Sequence, residues 1–170
     1  MPRMMLRPVI SSLAAVLLVA ATGCASDGIE VTTSADPLAT FPSQGTFVWN
    51  DAENKLPMDE RIQELDLDPL IKQAANGAFA ARGYREVGSE PADFRLVYEV
   101  GENRWYGPDG VTSVVSISLL LKDPKSGRHV WLGFGRAEVQ PNVPREERGR
   151  RLRSAFDKML EKFPPSSHSG

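Results

Sequence analysis

The run Phe94-Arg95-Leu96-Val97-Tyr98-Glu99-Val100 sets Phe94, Leu96, Tyr98 and Val100 at every second position. In a β-strand that spacing gathers side chains on one face, here the face that needs a core. Val97 alone breaks the polar side of the alternation. Downstream, Val111 to Lys122 repeats the pattern, with Val115, Ile117, Leu119 and Leu121 on one side and Ser116 and Ser118 on the other. Asp123-Pro124-Lys125-Ser126-Gly127 follows, where Asp and Ser bond the local backbone, Pro presets φ and Gly accepts a left-handed turn. The run Val130 to Val139 is then the second arm of an antiparallel hairpin, and the three runs together predict a meander.

Working outward, Thr46-Phe47-Val48-Trp49 has the aromatic and β-branched content of a short strand. The polar stretch from Ala52 to Leu65 holds Pro57 and at most a helical turn near Asp59 to Leu65. A helix follows, with Asp68 expected as N-cap, Pro69 at the first position, Leu70, Ile71, Ala74, Ala75, Ala78 and Phe79 at helical spacing, and Gly83 ending it. Its stripe is narrow and small, and Gly77 within it suits close approach to a strand. After Pro141 and Pro144, a last helix from about Pro144 to Phe163 carries Leu152, Phe156, Met159, Leu160 and Phe163 on one face. The order of elements predicts an α+β domain whose antiparallel or mixed sheet of about five strands packs both helices on one face.

The first 23 residues read as an export signal and not as structure. Arg3 and Arg7 form a charged start, and Val9 to Ala21 is uncharged and apolar. At about 13 residues that core is shorter than the 18 to 20 that span a bilayer as a helix. Ala21-Thr22-Gly23-Cys24 then has the form of a lipobox, in which Cys24 becomes the acylated first residue of the mature chain, carrying acyl chains such as palmitate. Ordinary cleavage after Ala25 is the alternative. Cys24 is the single cysteine of the 170 residues, so a disulfide framework is excluded and acylation gives the thiol a use. Two or three acyl chains anchor far more firmly than one. From 24 to 40 the composition is that of a tether, with one candidate strand at 29–32; the domain proper is expected over 41–165 and a disordered tail over 166–170. A coil of this length spans roughly 20–25 Å.

Several short motifs recur in a fixed order: Phe41 with Thr46-Phe47-Val48-Trp49, then Ala81-Arg82-Gly83-Tyr84, Pro91-Ala92-Asp93-Phe94, Asp123 through Gly127 leading to Val130-Trp131, and Lys162-Phe163-Pro164. In this order they resemble the DUF4136 family of bacterial lipoproteins, over roughly residues 29 to 165. The resemblance implies an envelope lipoprotein and attaches no activity to it, since the family is defined as a domain of unknown function. Many relatives carry a Gly- and Tyr-rich loop where this chain has Glu102 to Gly110.

Composition and motifs narrow the chemistry. The whole chain carries net charge −2, and loss of Arg3 and Arg7 with the signal lowers this to −4, so no basic excess points to nucleic acid. His129 opens a strand and His168 lies in the tail, which leaves no positioned base for a nucleophile. No metal-ligand spacing is present, and Gly133-Phe134-Gly135 lacks the third glycine and the helix of a dinucleotide fingerprint, so no cofactor is expected. Asp66 with Asp68 and Glu146 with Glu147 are accounted for by helix starts. Arg145, Arg148, Arg150, Arg151 and Arg153 read first as a solvated helix face, with Arg148 and Arg151 as candidates for an anionic contact. Arg104-Trp105-Tyr106 is the candidate binding loop, because adjacent aromatics can stack on a sugar or a partner surface.

The expectation is therefore a non-enzymatic module, anchored to a membrane through Cys24, that binds another envelope protein or a cell-wall component. Ala25 after the cysteine, in place of an aspartate, favours the periplasmic face of the outer membrane over the inner membrane or free periplasm. An enzyme acting on envelope glycans or lipids through an unlocated carboxylate site is the alternative, and a purely structural coat is a third.

Overall fold

The computed structural model describes residues 28–107, 110–138 and 143–163. Its strands are β1 (Glu30–Ala35), β2 (Gly45–Trp49), β3 (Tyr84–Glu86), β4 (Phe94–Gly107), β5 (Gly110–Lys122) and β6 (His129–Glu138). Its helices are α1 (Glu60–Gln63), α2 (Leu67–Ala80) and α3 (Arg145–Met159), with a 3-10 turn at Asp51–Glu53. The strands form one mixed sheet in the order β1-β6-β5-β4-β2-β3. Neighbours from β1 to β4 are antiparallel, whereas β2 lies parallel to both β4 and β3. The α+β architecture is as expected, with six strands in place of about five. The additional strand, β3, is three residues long and too short for alternation to reveal.

Alternation fixes which way the sheet faces. Leu96 lies opposite Leu121, Tyr98 opposite Leu119 and Val100 opposite Ile117, and all six are buried. In β6 the same row continues through Trp131, Gly133 and Gly135. A Cβ on Gly133 would sit 2.5 Å from the Trp131 ring and one on Gly135 2.5 Å from Met159 Cε. The two glycines thus make room for the Trp131 indole and for α3 on β6. Turn chemistry closes the hairpin as predicted: Asp123 Oδ1 accepts from the Ser126 amide at 2.6 Å and the Lys125 amide at 3.1 Å, and Gly127 takes φ +69°.

Both helices cover that face. Leu70, Ile71, Ala74, Ala75, Ala78 and Phe79 of α2 and Leu152, Ala155, Phe156 and Met159 of α3 are buried in one core with the sheet. Three details differ from expectation. Asp68 does not cap α2: the helix starts at Leu67 with Asp66 at the N-cap position in left-handed backbone, because the Asp68 carboxylate accepts from the Tyr98 hydroxyl at 2.7 Å and pairs with Lys72 at 3.2 Å. A Cβ on Gly77 would meet nothing within 4 Å, so no strand approaches there. The third concerns Phe163, which lies beyond α3 rather than on its face, because the chain turns after Met159, with the Phe163 amide donating to the Leu160 carbonyl at 3.0 Å.

That displaced ring is central to the packing. Phe163 lies 5.5 Å from Phe41, 5.6 Å from Phe79, 5.2 Å from Tyr84 and 5.3 Å from Trp131, centroid to centroid, distances at which aromatic pairs attract beyond their area. Arg82 holds the same corner from the polar side, donating to the carbonyls of Ala78 at 2.9 Å, Asp157 at 3.0 Å and Leu160. Gly83 turns the chain with φ +82°, and the buried Tyr84 donates its hydroxyl to the Pro42 carbonyl. Phe163→Ala should therefore cost about 3–5 kcal/mol in urea unfolding, and a loss below about 1 kcal/mol would show that the cluster is not central.

Candidate functional site

The lipobox residues Ala21, Thr22 and Gly23, the anchor Cys24 and the tail 166–170 lie outside the described residues. Arg104, Trp105 and Tyr106 do not form a loop: they belong to β4, at register positions opposite Ser113, Thr112 and Val111 of β5. The hairpin stays paired to Gly107 and Gly110, so the aromatics sit on a strand arm. Valine and threonine opposite them suit extended backbone, which explains why the chain pairs where polar composition suggested a loop.

The arginines of α3 do not make an open basic patch. Arg148 donates to the Val143 carbonyl at 2.5 Å, Arg151 lies 3.2 Å from Glu147 and Arg150 2.6 Å from the same carboxylate. The two bridges hold the Glu147 carboxyl below its ordinary range. Arg145 reaches across to Asp66 at 2.8 Å, which is the use the structure makes of that acid. His129 is exposed at the start of β6. Among the described residues no polar or charged residue is buried, and no group of three or more His, Cys, Asp or Glu is placed to hold a metal ion. No described helix is long and apolar enough to cross a membrane.

What the fold does offer is the second face of its sheet. Opposite both helices, Val97 pairs with Leu120, Leu120 with Leu132, and Phe134 lies beside Ser118 and Thr32. Val97 is 5% exposed, and Leu120, Leu132 and Phe134 are half-buried. Ion pairs edge this apolar strip: Arg136 with Glu30 at 2.5 Å, Lys122 with Glu53, and Arg95 with Glu90. An apolar centre inside a charged rim is the anatomy of a contact surface. The sequence carried the signal in residues of the wrong parity, Val97 and the middle leucine of Leu119-Leu120-Leu121, together with Phe134 between its two glycines. A smaller groove of about 360 Å³ lies between β1 and α3, lined by Ile29, Val31, Met159, Lys158, Glu161 and Lys162.

The motif residues, by contrast, are structural. Arg82, Gly83, Tyr84 and Phe163 build the aromatic corner. Asp93 binds β2 to β4 by accepting from the Thr46 amide at 2.7 Å and hydroxyl at 2.8 Å. The model of the family described as Domain of unknown function (DUF4136) matches residues 31–165. The chain belongs to the DUF4136 family. The match begins within β1, so the family's domain includes the strand that composition had assigned to the tether. No curated protein matches the chain. Among solved structures, the PelC dodecamer from Paraburkholderia phytofirmans is similar, with TM-score 0.51 and 18% identity over 78% of this chain and 94% of that one. Lipoprotein GNA1162 from Neisseria meningitidis aligns with TM-score 0.45 and 14% identity over 69% of this chain and 98% of that one. The likeness to PelC concerns the fold alone of this DUF4136 member.

The two buried tyrosines give the domain a measurable alkaline signature. Burial, joined by the hydrogen bond to Asp68, raises Tyr98 far above its ordinary pKa of 10.0, and burial also raises Tyr84. A folded-state pKa above the unfolded value gives stability that is complete below the unfolded value and is lost as pH climbs past it. Unfolding free energy should therefore fall from about pH 10 upward, less steeply in Tyr98→Phe; parallel pH profiles for the two proteins would remove Tyr98 as the cause.

Proposed function

We propose that this chain is a bacterial envelope lipoprotein, anchored through acylated Cys24 at the periplasmic face of the outer membrane, whose domain is a non-enzymatic binding module for another envelope protein or a cell-wall component. The observation that carries the binding role is the second sheet face, where Leu120, Leu132 and Phe134, each half-buried, form an apolar strip beside the buried Val97 that neither helix covers. Contiguous apolar surface inside a polar rim is costly to leave in water and marks contact sites. The anchor rests on the Ala21-Thr22-Gly23-Cys24 motif and on membership of DUF4136. Outer-membrane placement rests on Ala25 after the cysteine.

Crosslinking in intact cells, followed by mass spectrometry, tests the reading. The native protein should capture a saturable partner, and a Leu132→Ser/Phe134→Ser double variant, folded by circular dichroism and still in the membrane fraction, should capture it at least about tenfold less, the equivalent of about 1.4 kcal/mol. Equal capture by the two would overturn the assignment of that face. The same experiment reports self-capture, an arrangement with precedent in this fold, since PelC is a dodecamer. Density fractionation with inner-membrane markers would contradict the outer-membrane placement.

A further inference from the structure

Among the described residues β1 is the outer strand of the sheet, paired on one side only, with β6. Its register runs unbroken from Glu30 to Ala35, and every residue in it except Val31 is exposed. The Asp36 amide donates to the Val130 carbonyl at 2.9 Å, a pair that continues the same register. Bonded and non-bonded positions alternate along an antiparallel ladder, so Ser34, Thr32 and Glu30 exchange their backbone bonds with β6. Val31, Thr33 and Ala35 turn theirs to the free edge. Proteins blunt such edges with charges, proline, bulges or shortness. The opposite edge, β3, is three residues long, whereas β1 has no charge, proline or bulge between Glu30 and Asp36.

The edge also carries a groove. Val31 and Thr33 line the space of about 360 Å³ against Lys158, Met159, Glu161 and Lys162. Residues directly opposed in a sheet share a face, so a strand bonded to Val31 and Thr33 lays its own side chains over that groove, the arrangement by which an added strand gains both backbone bonds and side-chain contacts.

The charges around the edge select its occupant. Glu30 is paired with Arg136 at 2.5 Å and Asp36 with Arg128 at 2.7 Å, so neither end of β1 presents a net charge to draw a basic or an acidic segment. The occupant has to be uncharged over the positions facing Val31 to Ala35 and of mixed sign where it meets Lys158, Glu161 and Lys162. A second β1 meets both conditions. With Thr32 opposite its own copy, Val31 faces Thr33 and Glu30 faces Ser34, and no like charges are opposed; with Thr33 on the axis, Glu30 would face Asp36, an unfavourable pair of acids. In the first register Lys158, Glu161 and Lys162 flank the axis in both copies, with both signs on each side. The helices leave room as well. α3 packs over β6 with Met159 against Gly133 and Gly135, and the two β6 strands would lie three strand spacings apart, about 14 Å, against the 8–10 Å of packed helices.

We infer that β1 pairs antiparallel with β1 of a second copy about a two-fold axis at Thr32, joining the two six-stranded sheets into one. Such an interface is isologous and closes on itself. Phe134 lies opposite Thr32, so the two Phe134 rings stand in a single row on the face away from the helices, and the apolar strips of the two copies share one surface. The pairing does not depend on what that surface binds.

The test uses the full chain in non-ionic detergent, sized by sedimentation at micromolar concentration, where the parent protein should be a dimer. Thr33→Pro removes one outward N–H and leaves the bonds of Thr32 and Ser34 to β6 in place, a position at which an edge strand accepts proline. Folded by circular dichroism, it should dimerise at least about tenfold more weakly. Thr33→Lys, which sets a charge on the edge, should do the same and serves if the proline variant fails to fold. Mild oxidation reads the register. The two Thr32 positions form a non-bonded pair with Cα atoms about 4.5 Å apart, within the reach of a disulfide, whereas the two Ser34 positions are about 14 Å apart on the same face. Thr32→Cys should therefore give an interchain disulfide and Ser34→Cys should stay at the background set by the parent chain. A monomeric parent, dimers that withstand both substitutions at Thr33, or equal disulfide yield at the two positions would each overturn the inference. So would Thr32→Cys that crosslinks in intact cells to a different protein and not to itself, which would give the edge another occupant.

Discussion

Four separate elements meet on the ring of Phe163: the segment before β2 through Phe41, α2 through Phe79, β3 through Tyr84 and β6 through Trp131. That ring is held in place by a short turn after α3 and by Arg82, whose guanidinium bonds the carbonyls of Asp157 and Leu160 as well as that of Ala78. Carbonyls at a helix end lack intrahelical partners, and a cation there both satisfies them and opposes the dipole. One arginine thereby ends α2 and α3 together and drops Phe163 into the core. Motifs far apart in sequence, Arg82-Gly83-Tyr84 and Phe163, are one structural device. In this chain both motifs serve the same corner of the core.

Fixing that corner decides where contacts can form. With α2 and α3 committed to one side, the other side of the sheet keeps Val97, Leu120, Leu132 and Phe134 without a helix, and charged pairs confine them. Glycine at 133 and 135 serves the same division, since it lets α3 and Trp131 lie close on β6 while Phe134 is directed to the opposite face. Polar chemistry follows suit: ionisable side chains pair near the surface, and the carboxyl groups with resolved shifts, such as Glu147 and Asp123, are held down by their immediate hydrogen bonds. Such pairs are worth little each to stability.

Much of this was legible in the sequence, for physical reasons that also explain the remainder. The alternation of Phe94, Leu96, Tyr98 and Val100 sufficed for β4, and Asp123 to Gly127 for the hairpin, because period and turn chemistry are local. Asp68 was misjudged as a cap because the Tyr98 hydroxyl that claims it comes from a strand thirty residues on. β1 was legible only as a candidate strand at 29–32 inside a tether, since an exposed edge strand needs little hydrophobicity when β6 supplies its partner. The Trp105 segment looked like a loop, as polar and glycine residues hide pairing that only the opposite strand shows. Of the site residues, Cys24 was read from a local motif, whereas the apolar strip depends on register and emerges only when strands are placed side by side.

The claim on which the functional account depends is that Cys24 begins the mature chain and carries lipid. Intact mass measurement of the chain extracted from membranes, with fragmentation of its first peptide, addresses it directly. The account predicts an N-terminus at Cys24 bearing a diacylglyceryl thioether. A mature chain starting at Ser26 without lipid would contradict it.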